Sequence, residues 1–268
     1  MGRAWRGLWI GTAALLCLVV GAEGRAAEER FDTVVIDAGH GGDDTGARGG
    51  RGLREKDLVL DVARRLALRL RDQGLRVVMT RDDDTFVPLE QRTWLANDAR
   101  ADLFVSIHAN AAADREVSGT ETYFLSLQAS DESARRVAER ENAAFGDAAA
   151  LLANEDPFVA LMGDLISADD AAESDAFAKM VQGQLAETGS RSRGVKQAPF
   201  VVLANVQMPS VLVEIGFLTN PSDERQLARA DGRDRIVRAL SEAVQDFRQR
   251  YEAKRRPEQD AVPPAAGE

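Results

Sequence analysis

Only two histidines occur in the 268 residues, and each directly follows a short apolar run. Val34-Val35-Ile36-Asp37-Ala38 leads into Gly39-His40-Gly41-Gly42, and Leu103-Phe104-Val105-Ser106-Ile107 leads into His108-Ala109-Asn110. A strand rich in β-branched residues that ends in a polar ligand places it at the mouth of a sheet, where α/β proteins keep their chemistry. Two carboxylates join them. Glu55 stands at the start of the first long helical pattern, and Glu214 lies between Val213 and Ile215 in an apolar strand. A carboxylate there carries a large desolvation cost unless it meets a cation or serves chemistry. Two imidazoles and one carboxylate suit a tetrahedral zinc whose fourth position is left for water, and a second carboxylate beside it can take that water's proton. The implied chemistry is metal-assisted hydrolysis of an amide or ester. Each residue also has a plainer reading. A first-turn glutamate is favourable through the helix dipole alone, His108 fits a hydrogen-bonded core histidine, and Glu214 fits a buried ion pair with an arginine.

The segment Gly39 to Gly52 holds seven glycines among fourteen residues. It matches neither phosphate-binding glycine pattern, but suits a backbone that folds closely around an ion or substrate. The elements that must position these residues alternate along the chain. Strands are expected at Thr33 to Ala38, Leu75 to Thr80, Leu103 to Ile107, Thr120 to Ser126, Phe200 to Leu203 and Val211 to Ile215, most of them apolar on both faces. Leu58, Val59, Val62, Leu66 and Leu70 recur at helical spacing, with Gly74 as the stop. Pro88 opens a second helix through Trp94 and Leu95, and Ile236, Val237, Leu240, Val244 and Phe247 form a last one. The fold class is a single layered α/β domain with a mixed, mainly parallel six-stranded sheet flanked by helices. No repeat or second domain is evident.

Composition sets the compartment. Arg3 and Arg6, an apolar run from Leu8 to Val20 and small residues to Ala27 read as a signal peptide over residues 1–27, with cleavage between Gly24 and Ala27. That run is short for a bilayer span of roughly 20 residues, so no stable membrane anchor is expected. Cys17 lies within it behind Leu16, which does not fit a lipidation site, so the mature chain has no cysteine and stands on its core. Losing Arg3, Arg6, Arg25 and Glu23 takes the formal charge from −10 to about −12. Nucleic acid and anionic membrane surfaces are therefore poor partners, and no nucleic-acid binding is expected. The catalytic domain is expected over 28–253, and residues 254–268, with three prolines and no apolar stripe, as a disordered tail.

Four phrases in order, Ile36-Asp37-Ala38-Gly39-His40-Gly41-Gly42, Gly52-Leu53-Arg54-Glu55-Lys56, Ser106-Ile107-His108-Ala109-Asn110 and Val213-Glu214-Ile215-Gly216-Phe217-Leu218-Thr219-Asn220, resemble the zinc-dependent N-acetylmuramoyl-L-alanine amidases of bacterial cell-wall turnover and cell separation. The resemblance runs from about Phe31 to Tyr251 and includes Thr80-Arg81-Asp82 and Gly194-Val195-Lys196-Gln197-Ala198-Pro199-Phe200. It implies one Zn2+ per chain held by His40, Glu55 and His108, Glu214 as the catalytic glutamate, Asn110 as a substrate-binding residue, and peptidoglycan as substrate. A monomer in the periplasm of a Gram-negative-type bacterium is expected. The other readings are a zinc peptidase cutting within the stem peptide and a non-catalytic wall-binding regulator.

From Glu141 to Asp175 there are nine carboxylates and no lysine or arginine. Asp156 and Pro157 read as an N-cap and first residue, with Phe158, Leu161, Met162, Leu165 and Ile166 on one helical face. A packed surface helix satisfies that pattern. The resemblance implies instead a helical regulatory insert over 142–172 that blocks the site with a carboxylate, Glu141 or Glu155, until an activator protein displaces it. The first catalytic strand is expected only a few residues after the signal, which leaves no room for the amino-terminal β-rich targeting module that the resemblance associates with the better-known periplasmic members. Recruitment is therefore expected to come from the insert, the tail or a partner.

Overall fold

The computed structural model describes residues 30–143 and 168–255. The expected signal peptide, Glu155, the Asp156-Pro157 helix start, most of the insert and residues 256–268 lie outside the described residues. In chain order the elements are β1 (Thr33–Ala38), α1 (Glu55–Asp72), β2 (Arg76–Met79), α2 (Leu89–Asp98), β3 (Leu103–Asn110), β4 (Thr120–Leu125), α3 (Glu132–Ala143), α4 (Ala168–Ala186), β5 (Ser192–Ala198), α5 (Val201–Ala204), β6 (Ser210–Phe217), α6 (Pro221–Ala228) and α7 (Ala230–Arg255).

The six strands form one sheet in the order β2-β1-β3-β6-β4-β5. Every neighbouring pair is parallel except β4 with β6, which is antiparallel. Strand alternation then sorts the side chains. Val34, Ile36, Leu103, Val105, Ile107, Val211 and Val213 pack with α1, α4 and α7. Val35, Phe104, Tyr123 and Leu212 pack with α2, α3 and α5. Asp37, Ser106, His108, Glu121 and Glu214 share parity with this second set, so polar groups accumulate on the face that α2 and α3 cover.

Two expectations are corrected. Phe200 to Leu203 is not a strand: Val201–Ala204 is the short helix α5, all four residues buried. Its β-branched residues are apolar because they fill the core beside α2, and burial overrides strand propensity. The sixth strand is Ser192–Ala198, an edge strand with only Ala198 buried, whose Arg193, Lys196 and Gln197 disguise it as a loop. His108 lies inside β3, which continues to Asn110 past an irregularity between His108 and Asn110. Asn142 and Ala143 end α3, residues 168–172 open α4, and α7 runs to Arg255.

On the first face, Phe247 of α7 meets the rings of Phe31 at 5.8 Å, Phe177 at 5.1 Å and Tyr251 at 6.1 Å. It is fully buried and joins the chain just ahead of β1 to α4 and α7. Replacing it by alanine should destabilise the domain by about 3–5 kcal/mol, read as a lowered midpoint in urea unfolding with unchanged far-ultraviolet circular dichroism at zero denaturant.

Candidate metal centre

His40, Glu55, His108 and Glu141 bring one ligand atom each within 4.8 Å of one another, all four residues buried. They come from four elements. His40 follows β1, Glu55 is the first residue of α1, His108 sits near the end of β3, and Glu141 lies in the last turn of α3. His40 Nε2 is 3.0 Å from Glu55 Oε1 and 3.3 Å from Glu141 Oε2. His108 Nδ1 is 3.1 Å from Glu55 Oε1 and 3.0 Å from Glu141 Oε2.

The backbone makes room for this convergence. A Cβ on Gly39 would collide with the His108 ring, so only glycine lets β1 and β3 bring the imidazoles to 4.9 Å between centroids. Gly46, at φ 59°, faces His40 and Glu55 in the same way: a Cβ there would lie 2.6 Å from each side chain. Glu55 is fixed by two backbone N–H groups, Ala109 donating to Oε1 at 2.9 Å and Ala47 to Oε2 at 2.8 Å. On the far side of the His40 ring, Nδ1 is 2.8 Å from Asp44 Oδ2, a contact that sets the ring's orientation.

Burial works against charge on His40, but the Glu55 carboxylate, with those of Asp44 and Glu141 close by, pushes it up to about 12. His108 is likewise opposed by burial and lifted to about 9, chiefly by Glu141. Glu55 is held down at about 2 against its own burial, first by the charge on His40. Glu141 is also held well below the usual carboxylate range against its burial, first by His108. This cavity demands positive charge. Yet His40 Nε2 and Glu141 Oε2 are buried without a hydrogen-bond partner. A donor set of two imidazoles and two carboxylates, with an orphaned nitrogen aimed inward, fits a divalent metal such as zinc.

Glu214 lies opposite His108 in the β3–β6 register, fully buried. Neither carboxylate oxygen has a hydrogen-bond partner. Burial, and then the charge on Glu141, raises its pKa well above the usual range. A buried carboxyl with free lone pairs and raised pKa beside a metal-ligand cluster has the attributes of a general base.

Of the four residues singled out by type and spacing, His40, Glu55 and His108 meet at one point while Glu214 lies on the neighbouring strand opposite His108, and of the two candidate blocking carboxylates Glu141 stands within the cluster. Asn110 is close by: its Nδ2 donates to Glu121 Oε2 at 3.1 Å and its Oδ1 accepts from Arg140 at 2.9 Å. Sequence reasoning missed three supporting residues. Asp44 is a carboxylate four residues beyond His40. Arg140 precedes Glu141, donates to Glu141 Oε1 at 2.9 Å, and comes within 3.8 Å of Glu214 Oε1. Glu121 is a fully buried carboxylate on β4 that accepts from Arg193 at 2.8 Å and lies 2.9 Å from Lys196. Only Glu121 carried a usable signal, a charge inside the apolar-aromatic run Thr120 to Leu125.

Comparison with known proteins agrees with this geometry. The family model described as N-acetylmuramoyl-L-alanine amidase, Amidase_3, matches residues 34–246. The chain is 38% identical over 214 residues to the N-acetylmuramoyl-L-alanine amidase AmiA of Escherichia coli K12, covering 79% of this chain and 74% of that one. It is 35% identical over 227 residues to AmiC of Escherichia coli O6:H1, covering 84% of this chain and 54% of that one. Among solved structures, the catalytic domain of CwlV from Bacillus (Paenibacillus) polymyxa var. colistinus superposes with a TM-score of 0.61 at 32% identity, over 81% of this chain and 97% of that one. AmiC2 of Nostoc punctiforme gives 0.63 at 30% identity with the same coverage. The chain belongs to the Amidase_3 family of N-acetylmuramoyl-L-alanine amidases, a family of hydrolases.

Proposed function

We propose that this chain is a zinc-dependent enzyme that hydrolyses the amide between N-acetylmuramic acid and the L-alanine of the peptidoglycan stem peptide. The observation that carries the reading is the buried meeting of His40, Glu55 and His108 around an orphaned imidazole nitrogen, with Glu214, free of hydrogen bonds, on the strand beside His108. His40 Nε2, His108 Nδ1 and a Glu55 oxygen would hold one Zn2+ per chain. Such an ion lowers the pKa of water toward about 7 and polarises a carbonyl oxygen. Glu214 then accepts the proton as water attacks the lactyl carbonyl, and delivers it to the departing alanine nitrogen. Asp44 and the Ala47 and Ala109 N–H groups keep His40 and Glu55 in place throughout. On the same reading Asn110, whose amide oxygen now accepts from Arg140, would contact substrate once that guanidinium leaves.

Glu141 supports a resting, autoinhibited state. Its Oε2 stands between the two ligand imidazoles, where a water or the substrate carbonyl would have to be, and Arg140 holds its other oxygen. Arg140 further donates to Ala111 O at 2.7 Å, while Asn142 donates to Pro199 O at 2.8 Å and accepts from Val201 N at 2.9 Å, fastening α3 across the cleft. A protein that binds the acidic insert and draws α3 away would activate the enzyme. The amino-terminal pattern supports export to the periplasm, where a monomeric amidase of this kind would serve wall turnover and cell separation.

Digestion of purified peptidoglycan should release stem peptides with a free L-alanine amino terminus and leave the glycan strands intact, as read by mass spectrometry; a new amino terminus further along the stem would overturn the amidase assignment. Glu214→Ala should retain zinc while losing about 10²–10⁴-fold in rate, whereas His40→Ala or His108→Ala should lose both. Glu141→Ala should raise the basal rate of the mature protein at least about tenfold, since only the open fraction of the wild type can act. Equal basal rates would remove the autoinhibition and leave the amidase standing.

A further inference from the structure

The backbone at His40 is held in a conformation it would not choose. His40 has φ 61°, one of only two non-glycine residues with positive φ among the described residues, and Gly41 and Gly42 follow at 128° and 59°. L-residues avoid this region because Cβ crowds the carbonyl, so a residue that stays there is over-determined by its surroundings. Beyond Ala38 the chain has left β1, and its carbonyls need other partners.

Two buried arginines supply them. Arg92 of α2, 2% exposed, donates through Nη1 to Ala38 O at 2.8 Å and through Nη2 to His40 O at 2.8 Å. Arg81, 4% exposed, donates through Nε to Ala38 O at 2.9 Å and through Nη2 to Gly39 O at 2.8 Å. Three consecutive carbonyls are therefore held by guanidinium N–H groups. Arg92 is itself anchored, Nη1 to Asp37 Oδ1 at 2.6 Å and Nε to Val87 O at 2.9 Å. Asp37 is fully buried and also accepts from Thr80 Oγ1 at 2.6 Å and Ser106 Oγ at 2.7 Å, so its carboxylate is held from α2, from β3 and from the residue after β2.

Burying two guanidiniums around one carboxylate is a costly way merely to dock a helix, because desolvated charge is expensive. Docking α2 also needs no contact with the His40 carbonyl. The planar fork of Arg92 reaches the carbonyls of Ala38 and His40 at once, bracketing the turn at Gly39, and a lysine ammonium cannot match that geometry.

We infer that Arg92, oriented by Asp37 and seconded by Arg81, is a positioning residue that fixes the His40 backbone in its left-handed conformation and so preforms the metal site. This rests on the metal-centre reading of His40, Glu55 and His108. It adds that the affinity for the ion is set in part from behind the ligand, by a residue that never touches it.

The test compares the mature wild-type protein with Arg92→Lys and Arg81→Lys in three measurements: zinc affinity by competition with a chromogenic chelator, the visible spectrum of the cobalt-loaded protein, and thermal unfolding of the metal-free protein. Arg92→Lys should weaken zinc binding about 10–100-fold, as loss of an outer orienting partner does. Its cobalt spectrum should alter, while metal-free unfolding shifts by only a few degrees. Arg81→Lys should act in the same direction. A folded Arg92→Lys protein with wild-type affinity and spectrum overturns the inference. So does the failure of both metal-free variants to fold, which would assign the arginines to fold stability alone. A wild-type protein that binds neither zinc nor cobalt would instead remove the metal-centre reading, and this inference with it.

Discussion

The buried negative charge at one edge of the sheet is the constraint on which the rest of the site depends. Glu55, Glu141 and Glu214 are each at most 5% exposed, and a desolvated carboxylate costs several kcal/mol unless a cation answers it. Two imidazoles and one guanidinium answer here, which is why His40 and His108 are driven toward the charged form against their own burial. A divalent ion would satisfy the same demand at one point and release the imidazole nitrogens as donors of electron pairs. The close-approach glycine at Gly39, the paired N–H groups on Glu55 and the left-handed His40 backbone all serve to bring these groups within range.

Topology makes the convergence possible. The parallel set β1, β3 and β6 ends on one edge, and β3 beside β6 puts His108 opposite Glu214 in register. Because β4 runs antiparallel to β6, its beginning lies at that same edge, and Glu121 pairs with Glu214 there. Glu121 is neutralised by Arg193 and Lys196 from β5 and anchors Asn110, so the edge strand that reads as a polar loop is the electrostatic support of this corner. Its polarity hid it from a search for apolar runs and is also what its position requires.

That contrast explains what the sequence revealed. Strands β1, β3 and β6 and helix α1 are buried on nearly all sides or along a full stripe, so their patterns were plain, and His40, His108 and Glu214 were legible as polar interruptions of those patterns. Glu55 was not, since a first-turn glutamate is ordinary; its role needed the resemblance, and its placement needed the fold. Arg92 left no signal and Arg81 only its place in a phrase of the resemblance, because arginines in a loop and on a short helix are usually solvated. Only three-dimensional structure reveals that between them they hold the carbonyls of residues 38–40. Helix α5 misled for the opposite reason, its four apolar residues being explained by the core beside α2 and not by the sheet.

The adjacent pair Arg140 and Glu141 bears on how a resting state of this kind would work. One turn of α3 brings a carboxylate to the imidazoles and a guanidinium to within 3.8 Å of Glu214, so seating the helix adds little net charge to a site that could not absorb more. On the proposed reading Glu141 then acts twice. It stands between the ligand imidazoles, and its charge adds to burial in raising the pKa of Glu214. Withdrawing α3 would remove that carboxylate and, with it, the Arg140 guanidinium beside Glu214. Opening the cleft and changing the charge around Glu214 would thus be one event, because Arg140 and Glu141 leave together on one turn of α3.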